Sequence, residues 1–140
     1  MSSIPADYQP HGRKSPVTDP WEPLYSRYRD DGVDLAFEVR PAHCNSRGLV
    51  HGGVLAALCD NVMGLALGVV LRRDASILTT NLSLDYVGSA QVGAVVVITT
   101  RVVHAGNSLG TCDALAVSGS RTIARANASF SVRFKDAPAP

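Results

Sequence analysis

Hydrophobic and polar residues change their spacing several times along this chain, and each change predicts an element of structure. Residues 34–40 alternate between apolar and polar side chains, which predicts a half-buried strand that Pro41 ends. Residues 54–71 are apolar on nearly every face, which predicts a long buried helix. Gly52 and Gly53 let the chain turn tightly into this helix, so we expect no side-chain cap.

Four runs after the helix have strand character, because they alternate in polarity or are rich in β-branched residues. They cover residues 77–86, 94–104, 109–117 and 122–134. Segments of Gly, Ser and Asn separate them and predict turns. The last two connections have hairpin length, so the sheet should be largely antiparallel.

The beginning of the chain gives weaker signals. Residues 1–18 hold prolines among polar residues, which predicts a flexible, loosely ordered arm. Asp19, Pro20 and Glu22 have the sequence of a capping box with proline in the first turn. This pattern predicts a short helix over residues 19–28.

Together these elements predict an α+β fold in which a curved antiparallel sheet wraps around a long central helix. We expect a single domain over residues 19–134, followed by a polar tail over residues 135–140. One curved sheet covers only one side of an all-round apolar helix. The uncovered side therefore predicts a partner subunit, most simply in a two-fold homodimer.

Composition narrows the possible functions. The net charge is +1 with both signs interspersed, which predicts no nucleic-acid partner. The three cysteines, two of them in apolar surroundings, fit reduced thiols, and the N-terminus shows no apolar signal segment, so we expect a cytoplasmic protein. The helix is nearly long enough to span a membrane, but Asp60 and Asn61 near its centre argue against a membrane location.

Candidate chemistry concentrates at this helix. Its start carries His51, Gly52 and Gly53, where free backbone N–H groups favour negative charge. Asp60 is the only carboxylate on the helix. An ionised group in an apolar element costs several kcal/mol unless it is paired, so Asp60 predicts either a hydrogen-bonding partner or a catalytic role.

These residues resemble a known family. The order of elements, Asn45, the loop ending in His51 and Gly52, and Asp60 nine positions after His51 are similar to the hotdog-fold acyl-CoA thioesterases of the phenylacetate-pathway (PaaI-like) type. In the group of thioesterase superfamily member 2 the helix likewise reads Asp-Asn, as at Asp60 and Asn61. The resemblance covers roughly residues 24–134.

The resemblance implies an enzyme that hydrolyses an acyl-CoA to free acid and coenzyme A, without a metal or redox cofactor. It implies that Asp60 either attacks the thioester or activates a water molecule, and that the Gly52 N–H polarises the thioester carbonyl. It also implies that Asn45 and Thr79 orient the reacting groups. We expect His51 to set the loop rather than to transfer protons. The substrate contacts implied are Gly53, Asn61, Asn81, His104, Gly106, Asn107 and Ser108.

The spacing of two of these residues leads to a further prediction. Gly52 and Asp60 are eight positions apart on one helix, so their backbones lie about 12 Å apart at 1.5 Å per residue. Both cannot reach one thioester carbonyl. If both act, they come from different subunits of a homodimer, and such dimers are expected to pair into a dimer of dimers.

Several alternatives stay open. A non-catalytic acyl-CoA binder or sensor could use the same scaffold, and so could a dehydratase or hydratase. Asp60 could also be a buried acid satisfied by neighbouring polar groups. Other sites have little support: the His and Cys spacing matches no usual zinc pattern, the glycine loop lacks the Gly-Lys-Ser/Thr of a P-loop, and no Gly-x-Ser-x-Gly is present.

Overall fold

An antiparallel sheet and one long helix form most of the computed structural model, which describes residues 4–135. The strands are β1 Gln9–Pro10, β2 Tyr25–Arg29, β3 Gly32–Glu38, β4 Ala75–Tyr86, β5 Val95–Ala105, β6 Leu109–Ser118 and β7 Arg121–Phe134. The helix α1 spans Gly52–Leu71, and short 3-10 turns cover Asp19–Trp21 and Pro41–His43. The strand order is β1-β2-β3-β5-β6-β7-β4, so β4 forms one edge of the sheet in the described part of the chain.

Helix α1 packs on the concave face of this sheet with one of its sides. The buried side chains of the helix are Val54, Leu55, Leu58, Cys59, Val62, Met63, Ala66 and Leu67. Phe37, Ile98 and Phe130 of the sheet are buried with them in one core. The residues between these, such as Asp60 and Leu65, stay partly accessible. A single chain therefore covers one side of an apolar helix, as predicted.

The same helix has the length and composition of a membrane span, with 20 residues and a mean hydropathy of 2.1. The core helix of a soluble protein passes this test equally well. Burial of one side of α1 against the sheet accounts for that side's apolar residues without a membrane.

The sheet after the helix is confirmed nearly residue for residue. Strands β4 to β7 begin and end within two residues of the predicted positions. All strand pairs are antiparallel, and tight turns join β5 to β6 and β6 to β7. Gly119 in the second turn has a φ of +61°, a left-handed conformation that glycine adopts without a steric penalty.

Strand β3 differs from its prediction as a half-buried strand. Its residues are buried on both faces except at Glu38. Asp34 is only 1% exposed, and the side chains of Arg27 and Arg29 of the neighbouring β2 lie against its carboxylate. Arg27 and Arg29 of β2 donate hydrogen bonds of 2.7 to 3.0 Å to the Asp34 carboxylate. The alternating sequence predicts one solvent-exposed face, but neighbouring cations allow this carboxylate to be buried.

The predicted helix over residues 19–28 is wrong. Only a 3-10 turn forms at Asp19–Trp21, and the Glu22 carboxylate accepts a hydrogen bond from the Leu24 N–H at 2.8 Å instead of closing a capping box. Pro23 lacks the N–H that a continuing helix needs. The following residues pair with β3, from Tyr25 opposite Ala36 onward. Tertiary strand pairing here outweighs a local helix signal.

The N-terminal arm also differs from the loose segment that its prolines predicted, over the described residues 4–18. Gln9–Pro10 pairs with β2, and Tyr8 and His11 are buried. His11 Nδ1 lies 2.9 Å from Ser26 Oγ. Burial is the main reason that the pKa of His11 is lowered, which favours a neutral imidazole. Residues 1–3 of the predicted arm and 136–140 of the predicted tail lie outside the described residues.

Candidate active site

The carboxylate of Asp60 lies in the middle of α1, on the side that the sheet leaves open. Thr79 of β4 faces it, and the Thr79 hydroxyl donates a hydrogen bond of 2.7 Å to Asp60 Oδ1. No other hydrogen bond to this carboxylate comes from residues 4–135. Two of the predicted catalytic residues are therefore in direct contact, and one carboxylate oxygen can still accept a proton or a hydrogen bond.

A β-bulge in β4 directs Thr79 towards the helix. Thr79 pairs with Phe130 and Asn81 pairs with Ser129, so one extra residue, Thr80, stands between them. An extra residue inverts the alternation of side chains along a strand. The face towards α1 therefore changes from odd-numbered residues up to Thr79 to even-numbered residues from Leu82 onward.

The same register places Asn81 on the opposite face of the sheet from Asp60. Its partner Ser129 alternates with the buried residues Ala128 and Phe130, which face the helix. Within one chain, Asn81 is thus not brought to the site for which it was predicted.

The start of α1 is capped by a side chain, contrary to the prediction that glycines would suffice. His51 Nδ1 accepts a hydrogen bond of 2.8 Å from the Gly53 N–H. The predicted loop-setting role of His51 thus has a concrete contact, and the Gly53 N–H is already engaged. The Gly52 N–H makes no hydrogen bond with residues 4–135 and points out of the first turn as a free donor.

Tyr86, at the end of β4, is a site residue that the sequence did not reveal. Its hydroxyl donates a hydrogen bond of 2.6 Å to the Gly52 carbonyl oxygen. A Cβ on Gly52 would lie 3.2 Å from the Tyr86 ring, which is tighter than an ordinary contact. Burial, with a smaller contribution from Cys59, raises the pKa of the Tyr86 hydroxyl and keeps it a donor. Only glycine at position 52 allows this approach without displacement.

The loop before the helix is held by two polar side chains. Asn45 Oδ1 accepts hydrogen bonds from the Arg47 and Leu49 N–H groups at 2.9 and 3.2 Å. His43 is fully buried, with Nδ1 accepting from the Arg40 N–H and Nε2 lying 3.0 Å from the Trp21 carbonyl oxygen. Asn45 therefore shapes the loop, and among residues 4–135 its side-chain oxygen bonds to the loop and not to Asp60.

The predicted contacts between β5 and β6 lie apart from Asp60 in one chain. His104 is exposed, and its ring lies against Gly106, where an added Cβ would be 2.7 Å from Nε2. Asn107 is exposed in the turn, and the Ser108 carbonyl oxygen accepts from the Val132 N–H at 2.9 Å. None of these residues lines the cleft at Asp60.

A cleft of about 560 Å³ opens beside the Asp60 and Thr79 pair, between the open side of α1 and strand β4. Its lining residues are Arg13, Tyr28, Asp60, Asn61, Gly64, Leu65, Gly68, Val69, Arg73, Asp74, Ala75, Ile77, Thr79 and Phe130. Asn61 is thus placed where the sequence predicted it. After Asp60 and Asn61 the lining residues on α1 are apolar side chains and glycines, whereas Arg73, Asp74 and Arg13 add charged groups.

The cysteine beside this site is a poor nucleophile. Burial, with a smaller effect of Asp60, raises the pKa of Cys59 to about 12, so the thiol stays protonated near neutral pH. Burial likewise raises the pKa of Cys112 to about 12. Within residues 4–135, no three side chains of His, Cys, Asp or Glu are grouped so as to hold a metal ion.

The fold is a curved antiparallel sheet wrapped around one helix, which is the hotdog fold. It carries a carboxylate on the helix, a hydroxyl on a strand that bonds to it, and a glycine-rich helix start. Protein PA0474 of Pseudomonas aeruginosa, which is named as an esterase, is 32% identical to this chain over 131 residues. The match covers 93% of this chain and 98% of that protein. Human acyl-coenzyme A thioesterase 13 is 33% identical over 77 residues, covering 55% of this chain and 54% of that protein. Phenylacetic acid degradation protein PaaI of Thermus thermophilus, solved as a mutant, superposes with a TM-score of 0.75 at 25% identity, covering 86% of this chain and 100% of that one.

The family model of the thioesterase superfamily matches residues 47–124, which include the whole of α1 and β4 to β6. The chain belongs to the thioesterase superfamily. It is a thioester hydrolase, and the resemblance read from its sequence is confirmed.

Proposed function

We propose that this protein hydrolyses the thioester of an acyl-CoA to a free acid and coenzyme A, with Asp60 as general base or nucleophile. The observation that carries the proposal is the Asp60 carboxylate, which accepts a hydrogen bond from the Thr79 hydroxyl at 2.7 Å and lines a cleft of about 560 Å³. The name of the human relative, an acyl-coenzyme A thioesterase, supports coenzyme A as the thiol.

The reaction needs an activated oxygen and a donor for the developing oxyanion. As general base, Asp60 takes a proton from water, the water oxygen bonds to the thioester carbon, the C–S bond breaks, and the thiolate takes up the proton. As nucleophile, Asp60 bonds to the thioester carbon and the C–S bond breaks, which gives an anhydride and the coenzyme A thiolate. Water then hydrolyses the anhydride to the free acid and the Asp60 carboxylate, and the released proton goes to the thiolate. In both routes Thr79 orients the carboxylate, and the proposal requires no metal or redox cofactor.

The proposed oxyanion donor is the Gly52 N–H, which is free among the described residues and lies in the first turn of α1. Because Gly52 and Asp60 are eight positions apart on one helix, their backbones are separated by about 12 Å. A shared thioester therefore takes Gly52 from one subunit and Asp60 from its partner. Two such sites would form in each homodimer. If two dimers associate into a tetramer, these sites would keep the same composition.

The test is release of free thiol from a panel of aromatic and aliphatic acyl-CoAs by four forms of the protein. Asp60→Asn should lower kcat about 10³-fold, the usual range for losing a general base. Thr79→Val should lower it about fivefold, since one hydrogen bond is lost. Asp113→Asn is the matched control, because this carboxylate pairs with Arg101 on the other face of the sheet.

Three outcomes would contradict the proposal. Full activity of Asp60→Asn removes the carboxylate from the chemistry. No thiol release by the wild type, with tight acyl-CoA binding, favours a binder or sensor. Formation or consumption of an enoyl-CoA without thiol release favours a dehydratase or hydratase.

A further inference from the structure

We propose that the cleft beside Asp60 is a slot for a medium-chain acyl group and that Gly64 and Gly68 determine the chain length it accepts. This inference rests on the proposed thioesterase function. It begins from the cleft itself, which is lined by the Asp60 and Thr79 pair and by the apolar residues and glycines that follow Asn61 on α1.

Four large apolar side chains line the cleft in addition to the polar residues around Asp60. Leu65 and Val69 of α1 line it together with Ile77 of β4 and Phe130 of β7. Gly64 and Gly68 follow Asp60 at successive turns of the helix and form the part of the wall without side chains. An acyl group whose carbonyl is at Asp60 can therefore extend along the helix against apolar surface.

Packing within the chain does not require glycine at either position. A Cβ on Gly64 would meet Phe130 at 3.6 Å, and a Cβ on Gly68 would meet Ile77 at 3.7 Å, both ordinary van der Waals contacts. Glycine in a helix interior is less favourable than alanine by about 1 kcal/mol. The two glycines thus weaken the helix without relieving any clash in this chain, and what they provide is open space in the cleft.

The dimensions of the slot indicate the length of the substrate. From Asp60 to Gly68 the helix rises about 12 Å. An extended chain advances about 1.2 Å per bond, so the slot matches an acyl chain of about eight to ten carbons. Beyond Gly68 and Val69 along α1, the next lining residues are the charged Arg73 and Asp74. A longer apolar chain would have to desolvate these charges, which limits the favourable length.

The test is kcat/KM for straight-chain acyl-CoAs from two to fourteen carbons. The wild-type value should rise about three- to fourfold per methylene and level off near eight to ten carbons. Gly64→Ala should make it level off near four carbons and lower the ratio of decanoyl to butanoyl activity at least tenfold. Gly68→Ala lies about 6 Å further along the helix, so kcat/KM should still rise up to about nine carbons and should fall only for longer acyl chains.

Thermal unfolding and sedimentation accompany these assays. Both variants should unfold at higher temperature than the wild type, because alanine favours the helix, and should keep the oligomeric state of the wild type. If the variants lose kcat/KM equally for all chain lengths, or if the wild-type kcat/KM does not depend on chain length, the acyl slot is overturned. The proposed hydrolase function would still stand. Dissociation of the variants would assign the glycines to helix packing between subunits and also overturn the slot. A wild type that hydrolyses no acyl-CoA would instead refute the proposed function.

Discussion

At the scale of single residues, one tyrosine links the end of β4 to the start of α1. Tyr86 donates to the Gly52 carbonyl at 2.6 Å, and the next peptide N–H, that of Gly53, donates to His51. The Gly52 carbonyl and the Gly53 N–H belong to one peptide group, so both of its polar ends are held. The sequence could reveal the glycines and His51 as a motif, but not a partner 34 positions away that depends on the bulge in β4.

We expect Tyr86→Phe to lower kcat about three- to tenfold, the effect of one hydrogen bond that orients the proposed oxyanion donor. KM should change little, because the ring and its contact with Gly52 remain. Steady-state kinetics on an acyl-CoA substrate, with far-UV circular dichroism to verify the helix, measure this. An unchanged kcat would show that the bond only joins the strand to the helix.

At the scale of elements, long patterns were predictable and short ones were not. Helix α1 and strands β4 to β7 follow from runs of nine or more residues whose periodicity admits one interpretation. Strands β1 and β2 were missed because they are short and depend on pairing with β3. The bulge at Thr80 and the resulting position of Asn81 depend on register with β7, which no local pattern encodes.

The pairing of β2 with β3 includes an acid-sensitive element. Burial acts to raise the pKa of Asp34, but hydrogen bonds from Arg29, Arg27 and the Thr100 N–H outweigh it, and the pKa is lowered. A carboxyl whose pKa is lower in the folded state contributes stability above its unfolded pKa of about 3.9. That contribution is lost as the pH falls through the folded value.

We therefore expect Asp34→Asn to destabilise the protein by about 3 kcal/mol at pH 7, as for a broken buried pair whose cations keep some contact with water. The difference from wild type should shrink as the pH falls below about 3.9. Urea unfolding at a series of pH values measures both effects. Asp113→Asn, at an exposed pair, is the control and should change stability by less than about 1 kcal/mol at any pH. A difference between Asp34→Asn and wild type that does not depend on pH would contradict the account.

At the scale of the whole molecule, the open side of α1 and the edge strand β4 lie next to each other. β4 has 12 residues and pairs on one side only, with β7, among the described residues. Asp60, Thr79 and the cleft lie at this open region, and so do Gly52 and Tyr86. A two-fold axis here would cover apolar helix surface, pair an unprotected edge and bring one subunit's helix start to the other's carboxylate.

The claim that two subunits share each site can be tested by mixing two inactive variants. Asp60→Asn removes the carboxylate. Gly52→Pro removes the proposed donor N–H at the first position of α1, where the backbone accepts proline because His51 before it is already extended, with φ −71° and ψ 134°. The added Cβ displaces the Tyr86 ring of the same subunit, which it would meet at 3.2 Å, so far-UV circular dichroism must first show that the helix is intact.

The activity of this mixture after subunit exchange is the most direct test of the shared site. If Gly52 and Asp60 of one site come from different subunits, half of the dimers are mixed and each carries one intact site. Activity should then return to about one quarter of the wild-type value, as two-fold symmetry requires. A mixture that stays as inactive as its two components, although mixed dimers form, would contradict the shared site.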